Sequence, residues 1–330
     1  MRCAVIGAGA WGTALANLLS ENGHDSMLWA FEPDVSEAVN AHAENRRFLA
    51  GAPLHAALRA TSSIEHACAG AEIVVFAAPS HVLRNVAATA SRWVPEGVPL
   101  VVATKGIERE RLVLMTDVVH EEIPDRPVVA LSGPSFALEV AHHLPTAIVA
   151  ASTDAAAARF TQQALSTSAF RVYTQHDVTG VELGGSLKNV IAVATGIADG
   201  LQLGFNARAA LITRGLAEMT RLGVKLGADP ATFAGLAGIG DLVLTCTGSL
   251  SRNRAVGLEI GRGATLQEVL QGRETVAEGV ATTESARALA QREGVDMPII
   301  NAVYRVLFER QPARWALVEL MTRDLKGEQA

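Results

Sequence analysis

Apolar positions along the chain fall into two textures. In the first half, short apolar runs recur at Cys3–Ile6, Met27–Phe31, Ile73–Ala77, Leu100–Ala103, Val128–Leu131 and Ala147–Ala151. Helically spaced stretches separate most of them, among them Gly12–Glu21, Asp34–Ala43 and His81–Trp93. Strands alternating with helices predict βαβ units. The runs are continuous rather than alternating, as in strands buried on both faces of a parallel sheet. Ala169–Tyr173 reads as a last strand, and strand signals stop near His176. Beyond it, Leu211, Ile212, Leu216, Met219, Leu222 and Leu226 fall near one helical face within Arg208–Leu226. Thr283–Arg292, ending at Gly294 with Pro298 beyond, reads as a helix with a glycine stop. The expectation is an α/β chain: a doubly wound, mostly parallel sheet over residues 1–178 and an all-α domain over residues 179–330.

Composition fits two packed domains. Hydrophobic residues make up 49% and charged residues 19% of 330 positions, enough for sizeable cores. Twenty-eight Lys and Arg against 34 Asp and Glu leave a net charge of −6. That field repels nucleic acid and anionic membranes, so an anionic ligand must be met by a local cluster of cations and N–H groups. Cys3, Cys68 and Cys246 have no CxxC spacing and point to a reducing compartment, with neither disulfides nor a metal site. The uncharged run Cys3–Ser20 has the composition of a signal peptide or short span. Its Gly7, Gly9, Gly12, Thr13, Asn17 and Ser20 read better as strand, turn and helix. A cytoplasmic protein without an integral membrane segment is expected.

Gly7-Ala8-Gly9-Ala10-Trp11-Gly12 directly follows the first strand and opens a helix. This is GxGxxG in the setting a dinucleotide site requires. Gly7 permits the turn, Gly9 lets a pyrophosphate approach the backbone, and Gly12 lets helix and strand pack closely. The helix N-terminus adds N–H donors and partial positive charge. Glu32, 20 positions after Gly12 at the end of the second strand, suits ribose hydroxyls. Phe31 is placed to lie against an adenine. Arg46 and Arg47 read either as solvated loop cations or as partners of a 2′-phosphate, so NADH and NADPH both stay open, with a lean to NADH.

Further chemistry sits at strand ends and in the second half. Lys105, followed by Gly106, lies at the carboxyl end of a parallel strand, where ligands bind. Ser132-Gly133-Pro134-Ser135-Phe136-Ala137 leaves a strand for a helix, with Ser135 as an N-cap, a ligand contact or both. In Glu182-Leu183-Gly184-Gly185-Ser186-Leu187-Lys188-Asn189, two adjacent glycines weaken a helix by roughly 1 kcal/mol each but allow close approach. Lys188 leads into the apolar run Val190–Val193, where its pKa is lowered. Gly238-Ile239-Gly240-Asp241 and Ser251-Arg252-Asn253-Arg254 read either as a polar interhelical loop or as a phosphate site. Cys246 reads as a buried thiol, and His142-His143 as a solvated turn. Thr275-Val276-Ala277-Glu278 has capping-box spacing.

These segments together resemble the bacterial biosynthetic type of NAD(P)-dependent glycerol-3-phosphate dehydrogenase. The resemblance covers nearly the whole chain: Gly7–Gly12 with Thr13-Ala14-Leu15-Ala16, Pro79-Ser80-His81, Ala103-Thr104-Lys105-Gly106 and Ser132–Ala137, then Gly184–Val190, Asn206-Ala207-Arg208, Gly238–Thr247 and Ser251–Arg254. It implies NAD(P)H-dependent, reversible reduction of dihydroxyacetone phosphate to glycerol 3-phosphate, supplying phospholipid synthesis. It implies Lys188 as proton donor and acceptor, with Lys105 and Asp241 beside it. Lys105, Gly133, Ser135, Lys188, Asp241, Ser251, Arg252 and Asn253 would surround the phosphorylated substrate. Ala10, Trp11, Phe31, Lys105, Ala137, Arg252, Val276 and Glu278 would contact the dinucleotide, with Gly7, Gly9 and Gly12 forming its turn. Phe31 stands where some members carry Arg or His, which bears on NADPH preference. The chemistry agrees: a developing alkoxide needs a proton and nearby positive charge, and a protonated lysine provides both. A hydroxyacid or 6-phosphogluconate-type dehydrogenase, with Lys-x-x-x-Asn, would place Asn where Ala192 stands. A dinucleotide sensor would bind without turnover. A homodimer is expected from the Ala- and Leu-rich second half.

Overall fold

The computed structural model describes residues 1–271, 277–325 and 327. The strands are β1 (Arg2–Ile6), β2 (Asp25–Trp29), β3 (Arg59–Thr61), β4 (Ile73–Phe76), β5 (Leu100–Val102), β6 (Val128–Ser132), β7 (Thr146–Ala151) and β8 (Phe170–Gln175). They form one sheet in the order β3-β2-β1-β4-β5-β6-β7-β8. All neighbours are parallel except β6 and β7, which pair antiparallel through Ala130↔Ala151. The helices of this half are α1 (Ala10–Glu21), α2 (Pro33–His42), α3 (Ile64–Cys68), α4 (Leu83–Ala90), α5 (Met115–Glu122), α6 (Ala137–Ala141) and α7 (Ala155–Leu165).

The apolar runs become strands buried on both faces. Val5, Ile73, Val75 and Val101 face one core with Leu15 and Leu19 of α1, while Ala4, Val74, Phe76 and Leu100 face the other with α4 and α5. The chain order reverses between β1 and β4, so the crevice at their carboxyl ends is the ligand position of a doubly wound sheet.

Helices carry the rest: α8 (Val178–Gly200), α9 (Gly204–Lys225), α10 (Pro230–Phe233), a π-helical turn (Leu236–Gly240), α11 (Asp241–Thr247), α12 (Arg252–Gly261), α13 (Leu266–Leu270), α14 (Glu278–Glu293), α15 (Pro298–Phe308) and α16 (Ala313–Met321). The axis of this half is α8, buried from Gly180 to Ala198. It reads as nearly uniform apolar sequence because α9, α11, α12 and α14 all pack around it. Gly257 makes the α8–α12 crossing possible: a Cβ there would sit 2.1 Å from the Val193 carbonyl oxygen. The apolar stretch Pro230–Thr247 is long enough to span a membrane by length and composition. It consists of α10, the π-helical turn and α11, and it contains the fully buried Asp241.

Candidate active site at the carboxyl edge of the sheet

The adjacent glycines of α8 act on different neighbours. A Cβ on Gly184 would lie 2.3 Å from the Ala237 carbonyl oxygen, so glycine lets α8 press against the π-helical turn. A Cβ on Gly185 would lie 2.4 Å from Ser132 Oγ, at the end of β6. Ser186 then clamps the loop after β5: its Oγ accepts from Gly106 N at 2.9 Å and donates to Gly106 O at 3.1 Å. One turn beyond Gly184 is Lys188, and one turn beyond Ala237 is Asp241. The close crossing at the first pair therefore delivers the second pair to each other.

Asp241 is shared between two lysines. Lys188 Nζ donates to Oδ1, and Lys105 Nζ donates to Oδ2 at 2.9 Å. Asp241 has no exposed surface and Lys188 is 6% exposed. Burial opposes ionisation of Asp241, but Lys105 and Lys188 outweigh it and hold the carboxyl below its ordinary range. Burial pushes Lys188 well below its usual value; Asp241 resists the shift and Lys105 adds to it. The cluster therefore holds two cationic groups against one carboxylate, with a lysine whose proton is easily released.

A cleft opens above this cluster. It brings together Gly9, Ala10, Trp11, Lys105, Ser135, Lys188, Ser251, Arg252, Asn253 and Glu278 from both halves of the chain. Ser251 is the N-cap of α12 and accepts from Arg254 N at 3.2 Å. Asn253 is fixed on both sides, donating to Asn189 Oδ1 and accepting from Gly279 N, each at 2.9 Å. Ser80 Oγ donates to Glu278 Oε2 at 2.7 Å, tying the loop after β4 to the start of α14. Burial raises the Glu278 pKa and the Ser80 bond opposes it.

The glycine turn fits a dinucleotide. Gly7 has φ +122°, and a Cβ there would be 2.7 Å from Ala78 N. A Cβ on Gly9 would meet no protein atom within 4 Å and would instead fill the cradle at the start of α1. No side chain caps that helix. Trp11 Nε1 is buried without a hydrogen-bond partner among the described residues, an orphaned donor beside the cleft.

Other expected residues take local structural parts or differ from expectation. Gly133, at φ +145°, shapes the turn after β6 against Ile148. Ala137 opens α6 and packs on the sheet core. The second strand ends at Trp29, two residues earlier than read, and Phe31 stands 77% exposed with its ring edge-on to Trp29. Ser135 does not cap α6; Phe136 holds the N-cap position, and Ser135 Oγ donates to Gly133 O at 3.0 Å. Val276 and Thr275 lie outside the described residues. The N-cap of α14 is Ala277, and Glu278 is engaged by Ser80. Cys246 is buried, and burial pushes its thiol up to about 12. Arg46 is paired with Glu44 at 2.8 Å, and Arg47 with Asp34 at 3.7 Å.

The structure gives parts to residues to which the sequence assigned none. Phe48 and Thr245 line the cleft. Buried Asn45 places Phe48: its Nδ2 donates to Ala8 O at 2.9 Å, and its Oδ1 accepts from Phe48 N at 3.1 Å. A single buried asparagine has no spacing signature. Glu182, buried on α8, accepts from Thr116 N at 2.9 Å and from Thr116 Oγ1, anchoring α8 to α5.

A doubly wound sheet with a phosphate-binding glycine turn, facing a helical domain that brings a buried lysine to the same cleft, defines a two-domain dinucleotide-dependent dehydrogenase fold. Descriptions of the NAD-dependent glycerol-3-phosphate dehydrogenase N-terminus and C-terminus match residues 2–158 and 177–318. The chain belongs to the NAD-dependent glycerol-3-phosphate dehydrogenase family. A relative named glycerol-3-phosphate dehydrogenase [NAD(P)+] from Geobacter metallireducens is 56% identical over 98% of each chain. One of the same name from Geobacter sulfurreducens is 57% identical, covering 99% of this chain and 98% of its own. The crystal structure of glycerol-3-phosphate dehydrogenase from Coxiella burnetii superposes with a TM-score of 0.94 at 40% identity, over 98% of this chain and 99% of that one.

Proposed function

We propose that this chain reversibly reduces dihydroxyacetone phosphate to sn-glycerol 3-phosphate with NAD(P)H, with Lys188 as general acid and base. The observation that carries the reading is the pairing of Lys188 with buried Asp241 at the floor of a cleft whose far wall is the glycine turn. Residues 1–178 hold the dinucleotide and residues 179–330 supply most of the substrate side. The Gly7–Gly12 turn and the start of α1 take the pyrophosphate. When bound, the nicotinamide supplies the hydride equivalent that the ketone carbon accepts. Lys188 gives its proton to the ketone oxygen, and its lowered pKa eases that release. Lys105 remains beside the oxygen as positive charge, and Asp241 orients both ammonium groups. Arg252, with Ser251, Asn253, Ser135 and the turn at Gly133, binds the substrate phosphate through a guanidinium fork and polar donors. Glu278 and Ser80 close the edge of the cleft.

Glu32 at the start of α2, with Arg46 engaged by Glu44, favours NADH over NADPH. We further place the enzyme in the cytoplasm as a homodimer, a reading supported by the Ala- and Leu-rich helical half. It would supply glycerol 3-phosphate to phospholipid synthesis. Following absorbance at 340 nm with dihydroxyacetone phosphate and either cofactor tests the reading. Rapid oxidation, faster with NADH, is expected. Cofactor binding without turnover would overturn it in favour of a sensor.

A further inference from the structure

A second cavity lies at the opposite end of the helical domain and shares no residue with the cleft. It holds about 1140 Å³ where the C-terminal ends of α8, α12 and α15 meet the start of α16. Three arginines line it, Arg262, Arg310 and Arg314, and among the described residues no carboxylate does. Among the described residues none of these guanidinium groups makes an ion pair or a side-chain hydrogen bond. In a chain of net charge −6, these three exposed arginines give the cavity wall a local positive charge.

Cations at helix C-termini also complement the macrodipole, which gives Arg262, the C-cap of α12, a structural reason. It gives none for the backbone at Arg310. That residue follows the end of α15 in the left-handed region, at φ 56°. Glycine is the usual residue at such a position because it carries no steric penalty there. Gln202, after the end of α8, lines the same cavity with φ 59°. Two side chains are thus kept on the cavity wall at positions where glycine is unstrained. Besides polar Thr265, Gln267 and Gln311, the lining has an apolar and aromatic part: Leu270 and Trp315 are 40% and 62% exposed, beside Leu266 and Phe308. Arginine forks suit a phosphate, and the apolar wall suits a hydrocarbon chain.

We propose that this cavity is a binding site for a phosphorylated amphiphile, a phosphate monoester bearing an alkyl or acyl chain. Its nearer end is about 14 Å of helix from Arg252, given the rise of α12. The site does not depend on the proposed reaction.

Isothermal titration of the full chain with n-octyl phosphate tests it. The variants are Arg310→Gly with Arg314→Gln together, and Arg252→Gln alone. Glycine suits the left-handed position, so the double variant should melt no lower than the natural chain. Saturable binding is expected, at least about tenfold weaker in the double variant and unchanged in Arg252→Gln. Inorganic phosphate and n-octanol should each bind at least about tenfold more weakly than octyl phosphate. Absence of saturable binding, equal binding by the double variant, or loss in Arg252→Gln would overturn the proposal. So would inorganic phosphate or octanol binding as tightly as octyl phosphate.

Discussion

At the scale of single residues, the account turns on a carboxylate with no exposed surface between two lysines. Lys188 was legible because a lysine leading into an apolar run must be desolvated, and desolvation lowers its pKa. Its partner Asp241 was set beside it only by the family resemblance, since 53 positions separate the two and no local spacing joins them. The pair makes a directional prediction. Asp241 favours the charged form of Lys188, so Asp241→Asn lowers the lysine pKa further. Reduction needs the protonated lysine. Its alkaline limb should therefore move to lower pH in Asp241→Asn, with at least about tenfold loss of kcat at neutral pH. The pH profile of kcat checks this, and an unshifted limb would contradict it.

At the scale of elements, the strands with continuous apolar runs were readable and β3 was not. Arg59–Thr61 is a three-residue edge strand in which only Ala60 is buried, so no apolar run marks it. Nor does sequence reveal that β7 runs antiparallel to β6; both are equally apolar in either direction. The glycine pair of α8 was readable as a close approach, but what approaches was supplied by the π-helical turn. Gly184→Ala tests that contact. Helix propensity alone favours alanine by about 1 kcal/mol. The Cβ would meet backbone at 2.3 Å, and overpacking of this kind costs about 1–3 kcal/mol. We expect a net loss of stability on urea unfolding, and a lower kcat as Lys188 is drawn from Asp241. A variant both more stable and fully active would remove the packing argument.

At the scale of the whole molecule, two buried carboxylates that sequence did not single out help hold the helical half in place. Glu182 anchors α8 to α5, and Glu218 accepts from Ile299 N at 2.7 Å and Ile300 N at 3.3 Å, at the start of α15. Burial raises each to about 7 from 4.5. The folded chain therefore holds more protons than the unfolded chain between these values, and stability from these groups falls as pH rises through that window. Glu182→Gln should flatten the decline of Tm between about pH 4.5 and 7; an equally steep decline would show that Glu182 is ionised throughout. The same assembly places the glycine turn, Arg252 and the lysine pair around one cleft. Its central claim is that Lys188 moves the proton. The most direct measurement is kcat and KM for dihydroxyacetone phosphate reduction by Lys188→Ala. The account predicts a fall in kcat of at least about a hundredfold with KM changed only a few-fold. A retained kcat with only KM raised would assign Lys188 to substrate binding and contradict the account.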